Sequence, residues 1–435
     1  MAITNFRINR ILYCVIIYLW LPFMFLRIWR KGRKSPEYRK QWFQRLGFFK
    51  APKGIEHGLC FHCCSIGETI AAIPLIKALQ QKHSKLPITV TATTPTGLEQ
   101  IKLAFGDSVF YTYLPFDTPG AMKRFIAKIK PQFLIIMETE LWPNLLHYAH
   151  LNKTKVLIAN ARLSQQSLKG YLKVAKVSHD MMTHINKVAV QNKEDGQRFL
   201  QLGLTEQQLA VVGNVKFDIV LNQELKQASH KIKQLWAPSR PVWVVGSIHL
   251  DEITAILHAF KSVLAAIPDT LLVIVPRHPE YFHTVEEHII NEKLTMVKRS
   301  DAISPSKTTQ VVLGDSMGEL LTFWGIADVA FVGGSLIEHG GHNPLEPAAF
   351  SAPVISGPHT FNFREVYALL ENSEAVLIAN NTKELAASVI RLLSDKPYQI
   401  KLGNNACQVI KENIGALTLL IAEVEKLLAS TIKPQ

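Results

Sequence analysis

Cysteine is scarce, with five in 435 residues and no regular spacing. That excludes a scaffold built on disulfides and fits a reduced compartment. Cys60, Cys63 and Cys64 do form a C-x-x-C pattern. It lies in the apolar run Leu59-Cys60-Phe61-His62-Cys63-Cys64, with no second ligand pair and no evident helix start, so it reads as a buried strand rather than a redox or zinc site. Acidic residues are also short, 35 against 48 basic, a formal net charge of +13. That balance favours anionic partners: nucleic acid, anionic lipid or phosphorylated substrates. No basic–aromatic motif is present and the charge excess gathers near one end, so nucleic acid is not the expected partner. No G-x-G-x-x-G follows an apolar run, which argues against a standard dinucleotide dehydrogenase. No G-x-x-x-x-G-K-[ST] occurs, which argues against a P-loop nucleotidase. Charged residues make up only 19% and apolar ones 48%. The chain is therefore globular, with large cores and a length suited to two or three domains.

One long apolar run is present, Ile11 to Leu26. Arg7 and Arg10 precede it, and Arg27, Arg30, Lys31, Arg33, Lys34, Arg39 and Lys40 follow. It is shorter than the ~20 residues that cross a bilayer comfortably, although Ile28 and Trp29 extend it if Arg27 snorkels. A basic stretch follows where a cleaved signal would show a small-x-small site. The expectation is a retained anchor, either one span or a helix lying in the interface. The heavier basic flank places the main body in the cytoplasm and holds it against anionic headgroups.

From Gly58 onward, short β-branched runs alternate with stretches of helix length. Strands are expected at Leu59–Cys64, Ile88–Ala92, Val109–Tyr113, Phe133–Met137, Val156–Ala159 and Lys187–Val190. A second series follows at Val242–Gly246, Leu271–Val275, Val311–Leu313, Val329–Val332, Pro353–Ile355 and Ala375–Leu377. This is the pattern of α/β units on parallel sheets. The polar helical stretch 222–234, ahead of Ala237-Pro238-Ser239, separates the two series and places the domain boundary around 220–240. The expected division is an anchor over 1–34, one Rossmann-like domain over 35–225 and a second over 226–435. Ligands of such sheets bind at the carboxyl ends of the strands.

The turns at those ends are rich in polar residues. Ser65-Ile66-Gly67-Glu68 follows the first strand. Ser65 suits a helix cap, Gly67 permits close backbone approach, and free amides at a helix start attract anions. Glu68 is there either as a general base or as a complement to the helix dipole. Thr94 and Gly97 lie in the turn after the second strand, Glu140 in Glu138-Thr139-Glu140-Leu141-Trp142-Pro143-Asn144, and Arg162 in Asn160-Ala161-Arg162-Leu163-Ser164. In the second half stand Lys216 of Gly213-Asn214-Val215-Lys216, Gly246 and Ser247, Arg277 and His278, the turn Met317-Gly318-Glu319, and Asn343 with Glu346. Lysine, arginine and glycine amides of this kind suit a phosphate, and Glu346 suits ribose hydroxyls. Glu338, His339 and His342 invite a zinc reading. The glycines beside them favour a tight backbone loop, and no metal site is expected.

Taken together, these motifs resemble the Kdo transferases of lipopolysaccharide biosynthesis, along nearly the whole chain. The resemblance implies an α/β GT-B fold: two Rossmann-like domains facing a central cleft, behind an N-terminal membrane-anchor helix. It implies inverting transfer of Kdo (3-deoxy-D-manno-oct-2-ulosonic acid) from CMP-Kdo to the lipid A precursor at the inner membrane, with no cofactor or metal. Glu68 matches the family's base. Ser65, Gly67, Thr94, Gly97, Glu140 and Arg162 fall on the acceptor side. Arg277 and His278 match the donor-phosphate contacts, with Lys216 near them. Met317, Gly318 and Glu319 match the nucleotide turn, Asn343 and Glu346 the phosphate and ribose end, with Gly246 and Ser247 on the same side. The competing readings are a GT-B enzyme using a UDP-sugar, and a catalytically silent membrane module that binds nucleotide or lipid.

Overall fold

The computed structural model describes residues 2–33, 35–219 and 221–429, with side chains from residue 10 onward. Lys34 and the Arg7 side chain, both in the basic flanks, lie outside the described residues. The chain forms two compact units, one of residues up to Val215 together with those from Gly415 onward, the other Lys216–Ile414.

The first unit is built on seven parallel strands: β1 (Leu59–Cys63), β2 (Ile88–Ala92), β3 (Phe110–Tyr113), β4 (Phe133–Met137), β5 (Lys155–Ala161), β6 (Lys187–Val190) and β7 (Leu209–Val211). Their spatial order is β3-β2-β1-β4-β5-β6-β7, a doubly wound sheet with its switch point between β1 and β4. Both faces are covered, so its inner strands are apolar without alternation. Phe61 and Cys63 pack on one face, Cys60 on the other. The two cysteines thus point to opposite sides of β1, as a buried strand requires and a chelating pair forbids. Its helices are α1 (Ala2–Lys31), α2 (Ile66–Lys82), α3 (Pro95–Phe105), α4 (Pro119–Ile129), α5 (Pro143–Leu151), α6 (Gln165–Lys173), α7 (Ala175–Thr183) and α8 (Lys193–Gln201), with the last helix of the chain described below. Three of these (α3, α4 and α5) begin on proline, whose missing N–H costs nothing in a first turn.

The second unit repeats the plan with β8 (Val242–Ile248), β9 (Leu271–Pro276), β10 (Met296–Lys298), β11 (Val311–Leu313), β12 (Val329–Val332), β13 (Val354–Ser356) and β14 (Val376–Ile378). Their order is β10-β11-β9-β8-β12-β13-β14. Trp243, Val245, Ile274 and Phe331 pack on one face, Val244, Val273 and Ala330 on the other.

Three details depart from the expected division. The break falls at Val215/Lys216 rather than 225/226. The polar helical stretch between the two series is the helix Gln223–Trp236, and the whole of it belongs to the second unit, where Ser229 Oγ donates to the Thr322 carbonyl and Lys233 Nζ to that of Ile326, each at 3.0 Å. The last helix, Ala416–Ala429, belongs to the first unit, not the second. It buries Ala416, Leu420, Val424 and Leu428 against the core of β1 and α2. That four-residue spacing makes one apolar stripe, which closes a face of the first sheet.

Candidate active site

In the first unit, β1 hands over to α2 through Ser65. Its backbone is extended and its Oγ accepts the Glu68 N–H at 3.3 Å, capping the helix. Glu68 is the third helical residue, so its side chain turns back over the cap. Its carboxylate accepts the Cys64 N–H at 2.6 Å and the Ser65 hydroxyl at 3.0 Å. The group is buried, and burial lifts its pKa to about 7. The Cys64 N–H opposes that shift, while the charges of Glu138 and Glu140 add to it.

Those two carboxylates arrive from the end of β4. Glu138 adopts a left-handed backbone, φ 54°, which a non-glycine residue holds only under constraint. Its N–H reaches the Ala159 carbonyl at 2.9 Å and its carboxylate lies 3.1 Å from Arg162 Nε. Asn160, also left-handed at φ 53°, is fully buried and accepts the Val215 N–H at 3.1 Å. Two strained residues at neighbouring strand ends mark where the fold is bent to present side chains. Burial raises the Glu140 pKa as well; the Cys64 thiol opposes that shift and the charge of Glu138 adds to it. The Cys64 thiol, Glu68 and Glu140 bring one ligand atom each to within 4.8 Å of one another. Cys64 therefore stands just before a helix start, in contact with the site, which the buried-strand reading of the cysteine pattern did not include. Burial pushes its thiol up to about 12, the reverse of an activated nucleophile.

Not every candidate is free for a ligand. The Thr94 hydroxyl caps α3 by accepting the Gly97 N–H at 3.2 Å, and a Cβ on Gly97 would meet that of Ala92 at 3.0 Å. Both have packing reasons to be what they are. Gly67 has none: it is exposed, and a Cβ there would meet nothing closer than Ser65 Oγ at 3.8 Å.

In the second unit, β8 carries a bulge at Ser247, φ 59°, between Gly246 and Ile248. Gly246 is a packing position, since a Cβ would stand 2.4 Å from the Trp324 ring. The bulge aims His249 into a group of rings. His339 stacks on it at 4.2 Å between centroids, His342 lies parallel at 5.3 Å, and His278 meets it edge-on at 6.0 Å. His249 Nε2 and His342 Nε2 are 3.1 Å apart. Burial, then neighbouring rings and Arg277, holds His249 down to about 4. Burial and then Arg277 hold His342 down to about 3. Both imidazoles are neutral at pH 7, so one donates and the other accepts.

Glu252, absent from the sequence-level candidates, holds the loop above these rings. It is fully buried and accepts the N–H groups of Gly334 at 2.7 Å, Ser335 and Leu336 at 3.0 Å, and His249 at 3.1 Å. The spacing His249-x-x-Glu252 is a capping-box signal, which was the available clue. On the following loop, Asn343 Nδ2 donates to Glu346 Oε1 at 3.2 Å and Trp324 Nε1 to Oε2 at 3.3 Å; burial still raises the Glu346 pKa. Arg277 is placed by its N–H on the Ile248 carbonyl at 2.9 Å. Lys216 opens this unit with its ammonium 5.9 Å from the Phe363 ring centre. Glu319 is already engaged: Arg299 grips it in a fork at 2.8–3.2 Å and Ser316 donates to it, which lowers its pKa. Met317 stands exposed beside it and Gly318 takes φ 84° in open space. The bonds of Glu319 are those of a turn brace, an arrangement its position in the motif did not foretell.

Comparison with known proteins adds to this geometry. Residues 40–219 match the family described as 3-deoxy-D-manno-octulosonic-acid transferase (kdotransferase), and residues 243–409 match the glycosyl transferases group 1. A 3-deoxy-D-manno-octulosonic acid transferase from Haemophilus influenzae is 43% identical over 95% of this chain and 97% of its own. One from Bordetella pertussis is 32% identical over 86% and 89%. Among solved structures, a glycosyltransferase from Rickettsia africae superposes on 87% of this chain and 100% of its own, with a TM-score of 0.52 at 14% identity, a likeness of fold alone. With two doubly wound sheets and relatives that span nearly the whole chain, this protein is a glycosyltransferase of the GT-B fold and belongs to the 3-deoxy-D-manno-octulosonic acid (Kdo) transferase family.

Proposed function

We propose that this enzyme transfers Kdo from CMP-Kdo to the phosphorylated lipid A precursor (lipid IVA) with inversion, at the cytoplasmic face of the inner membrane. The observation that carries the mechanism is Glu68: a buried carboxylate of pKa about 7, with two of its four lone-pair sites filled and two acidic neighbours raising its affinity for a proton. A base of that pKa is matched to work near neutral pH. As the acceptor oxygen attacks the anomeric carbon, Glu68 takes its proton. The bond from that carbon to the phosphate oxygen breaks, and CMP leaves with the electron pair. The sugar centre passes through oxocarbenium-like character.

The leaving group carries a single phosphate. Arg277 offers planar donors and Lys216 a point charge, which suffices to stabilise it without a divalent cation. His249 and His342, neutral when the site is empty, offer hydrogen bonds to the donor's carboxylate or phosphate without repelling the guanidinium of Arg277. Asn343 and Glu346 take the remaining polar end of the donor.

The test is transfer from CMP-Kdo to lipid IVA, read by mass spectrometry, with and without EDTA, for wild type and Glu68→Gln. Kdo addition by wild type alone, indifferent to EDTA, is the expected result. Equal transfer by both proteins would remove Glu68 from the role of base, and a strict metal requirement would sink the cation-only account of the leaving group.

A further inference from the structure

Between Ile11 and Leu26 the helix α1 is apolar on every side, and the structure accounts for one side of it. Arg10, Tyr13, Cys14, Ile17, Phe25 and Ile28, spaced as one helical stripe, face the first unit. The contacts are specific. Tyr13 Oη donates to Asp117 Oδ2 at 2.8 Å. Asp117 is buried and also accepts the N–H groups of Asn144 at 2.9 Å and Leu145 at 2.8 Å, in the first turn of α5. Cys14 Sγ donates to Asn144 Oδ1 at 3.4 Å, and the Gly120 N–H donates to Tyr18 Oη at 3.1 Å. Further along, the Phe25 ring meets Phe116 edge-on at 5.3 Å, and the Trp29 carbonyl accepts from Arg39 at 3.3 Å. From Tyr13 to Trp29 a helix rises ~24 Å, against ~30 Å for the hydrocarbon of a bilayer.

A spanning orientation contradicts this. It would either draw Asp117, Asn144 and the amide end of α5 into hydrocarbon, or strip Asp117 of its tyrosine and pull the helix off the unit along its length. The other side of α1 shows what it meets instead. Leu12, Val15, Ile16, Leu19, Trp20 and Phe23 are 49–70% exposed and contiguous along the outer stripe, a patch that marks an interaction surface. Arg27, Arg30, Lys31 and Arg33 are exposed at its end. An apolar face closed by a cationic cluster is complementary to the acyl–headgroup boundary of an anionic bilayer.

We propose that α1 lies flat in that boundary, fixed to the first unit by Tyr13, Tyr18 and Phe25, so that the N-terminus stays on the same side of the membrane as that unit. The proposal rests on the membrane location given above and not on the transfer reaction. The full chain carrying an epitope ahead of Met1 is expressed, and protease is applied to intact spheroplasts and to sealed inverted inner-membrane vesicles. The flat helix predicts an epitope protected in spheroplasts and removed in inverted vesicles. The opposite pattern establishes a span and overturns the proposal. In parallel, the purified full chain and Trp20→Glu are sedimented with phosphatidylcholine vesicles, with and without phosphatidylglycerol. The proposal expects binding that needs phosphatidylglycerol and falls about tenfold or more in the variant, with an unchanged melting temperature because Trp20 is outside the core. Undiminished binding by Trp20→Glu overturns it. A cytoplasmic epitope on a protein that fails to transfer Kdo would refute the reaction and leave the flat helix standing.

Discussion

The two units place a glutamate at the same point of the same plan. Glu68 is the third residue of the helix after β1, and Glu252 the third of the helix after β8. Both are buried. Glu252 meets four backbone N–H groups, one for each lone-pair site, from its own cap and from a loop more than eighty residues away. Glu68 meets one N–H and one hydroxyl, and two further carboxylates stand near it. A saturated carboxylate is a structural anion; an unsaturated one among like charges is ready to take a proton. Position on the fold does not separate a brace from a base, and the census of donors does.

The largest expected effect tests that reading at Glu68. Glu68→Gln keeps the shape and, with its carbonyl on the Cys64 N–H and its NH₂ turned to donate to the Ser65 hydroxyl, a bond to each partner, but not the proton affinity. Turnover with CMP-Kdo and lipid IVA should fall roughly 10²–10⁴-fold, with donor binding by calorimetry unchanged. Glu252→Gln should do the reverse. It sets an amide NH₂ against backbone donors and leaves buried N–H groups unpaired, costing ~2–4 kcal/mol of stability in urea unfolding. A Glu252→Gln protein as stable as wild type, or a Glu68→Gln protein that turns over normally, would break the comparison.

Two glycines, Gly246 near the end of β8 and Gly67 in the first turn of α2, sharpen it. Gly246→Ala drives a methyl to 2.4 Å from the Trp324 ring, an overpacking worth ~1–3 kcal/mol of lost stability. Gly67→Ala meets open space on a helix that favours alanine, so its stability should stay within about 0.5 kcal/mol of wild type or rise. Its transfer rate should nonetheless fall, because the space a glycine keeps open beside Glu68 has no use in the packing. Normal transfer by Gly67→Ala would show that the acceptor does not approach there.

Much of this was legible in the chain. Runs such as Phe133–Met137 and Leu271–Val275 are short, apolar without alternation and rich in β-branched or aromatic residues, which reads as strands buried on both faces, and the polar turns after them stand out because they break an apolar pattern at strand ends. Other parts were not legible, for physical reasons. The strands β7 and β10 are three residues long, at sheet edges and part-buried, with Val211 of β7 exposed, so they carry too little apolar signal. Glu252 escaped because three of its four partners are remote in sequence. The return of the last helix to the first unit follows from a fit between its stripe and a sheet face, and nothing in the local composition around Gly415 announces it. Glu319 was placed with the nucleotide from its motif, whereas its grip by Arg299 depends on two loops meeting in space.

The smallest expected effect is also the most specific to Glu68. Its pKa is about 7 in the folded protein, above the ordinary carboxylate range, and burial is the main cause. Below the unfolded value the group is protonated in both states and ionisation costs nothing. As pH rises through about 7, the folded protein must ionise a buried carboxylate that the unfolded chain ionises in water, and stability is lost. Glu68→Gln removes that loss. Its melting temperature should match wild type at pH 4 and exceed it at pH 8 by roughly 2–4 °C, while wild-type turnover climbs over the same range as the base ionises. The two curves should mirror one another, because one proton controls both. A melting-temperature difference that does not change with pH would mean that Glu68 holds its proton no more tightly in the folded protein than in the unfolded chain, and the base would have to be sought in its acidic neighbours, Glu140 first.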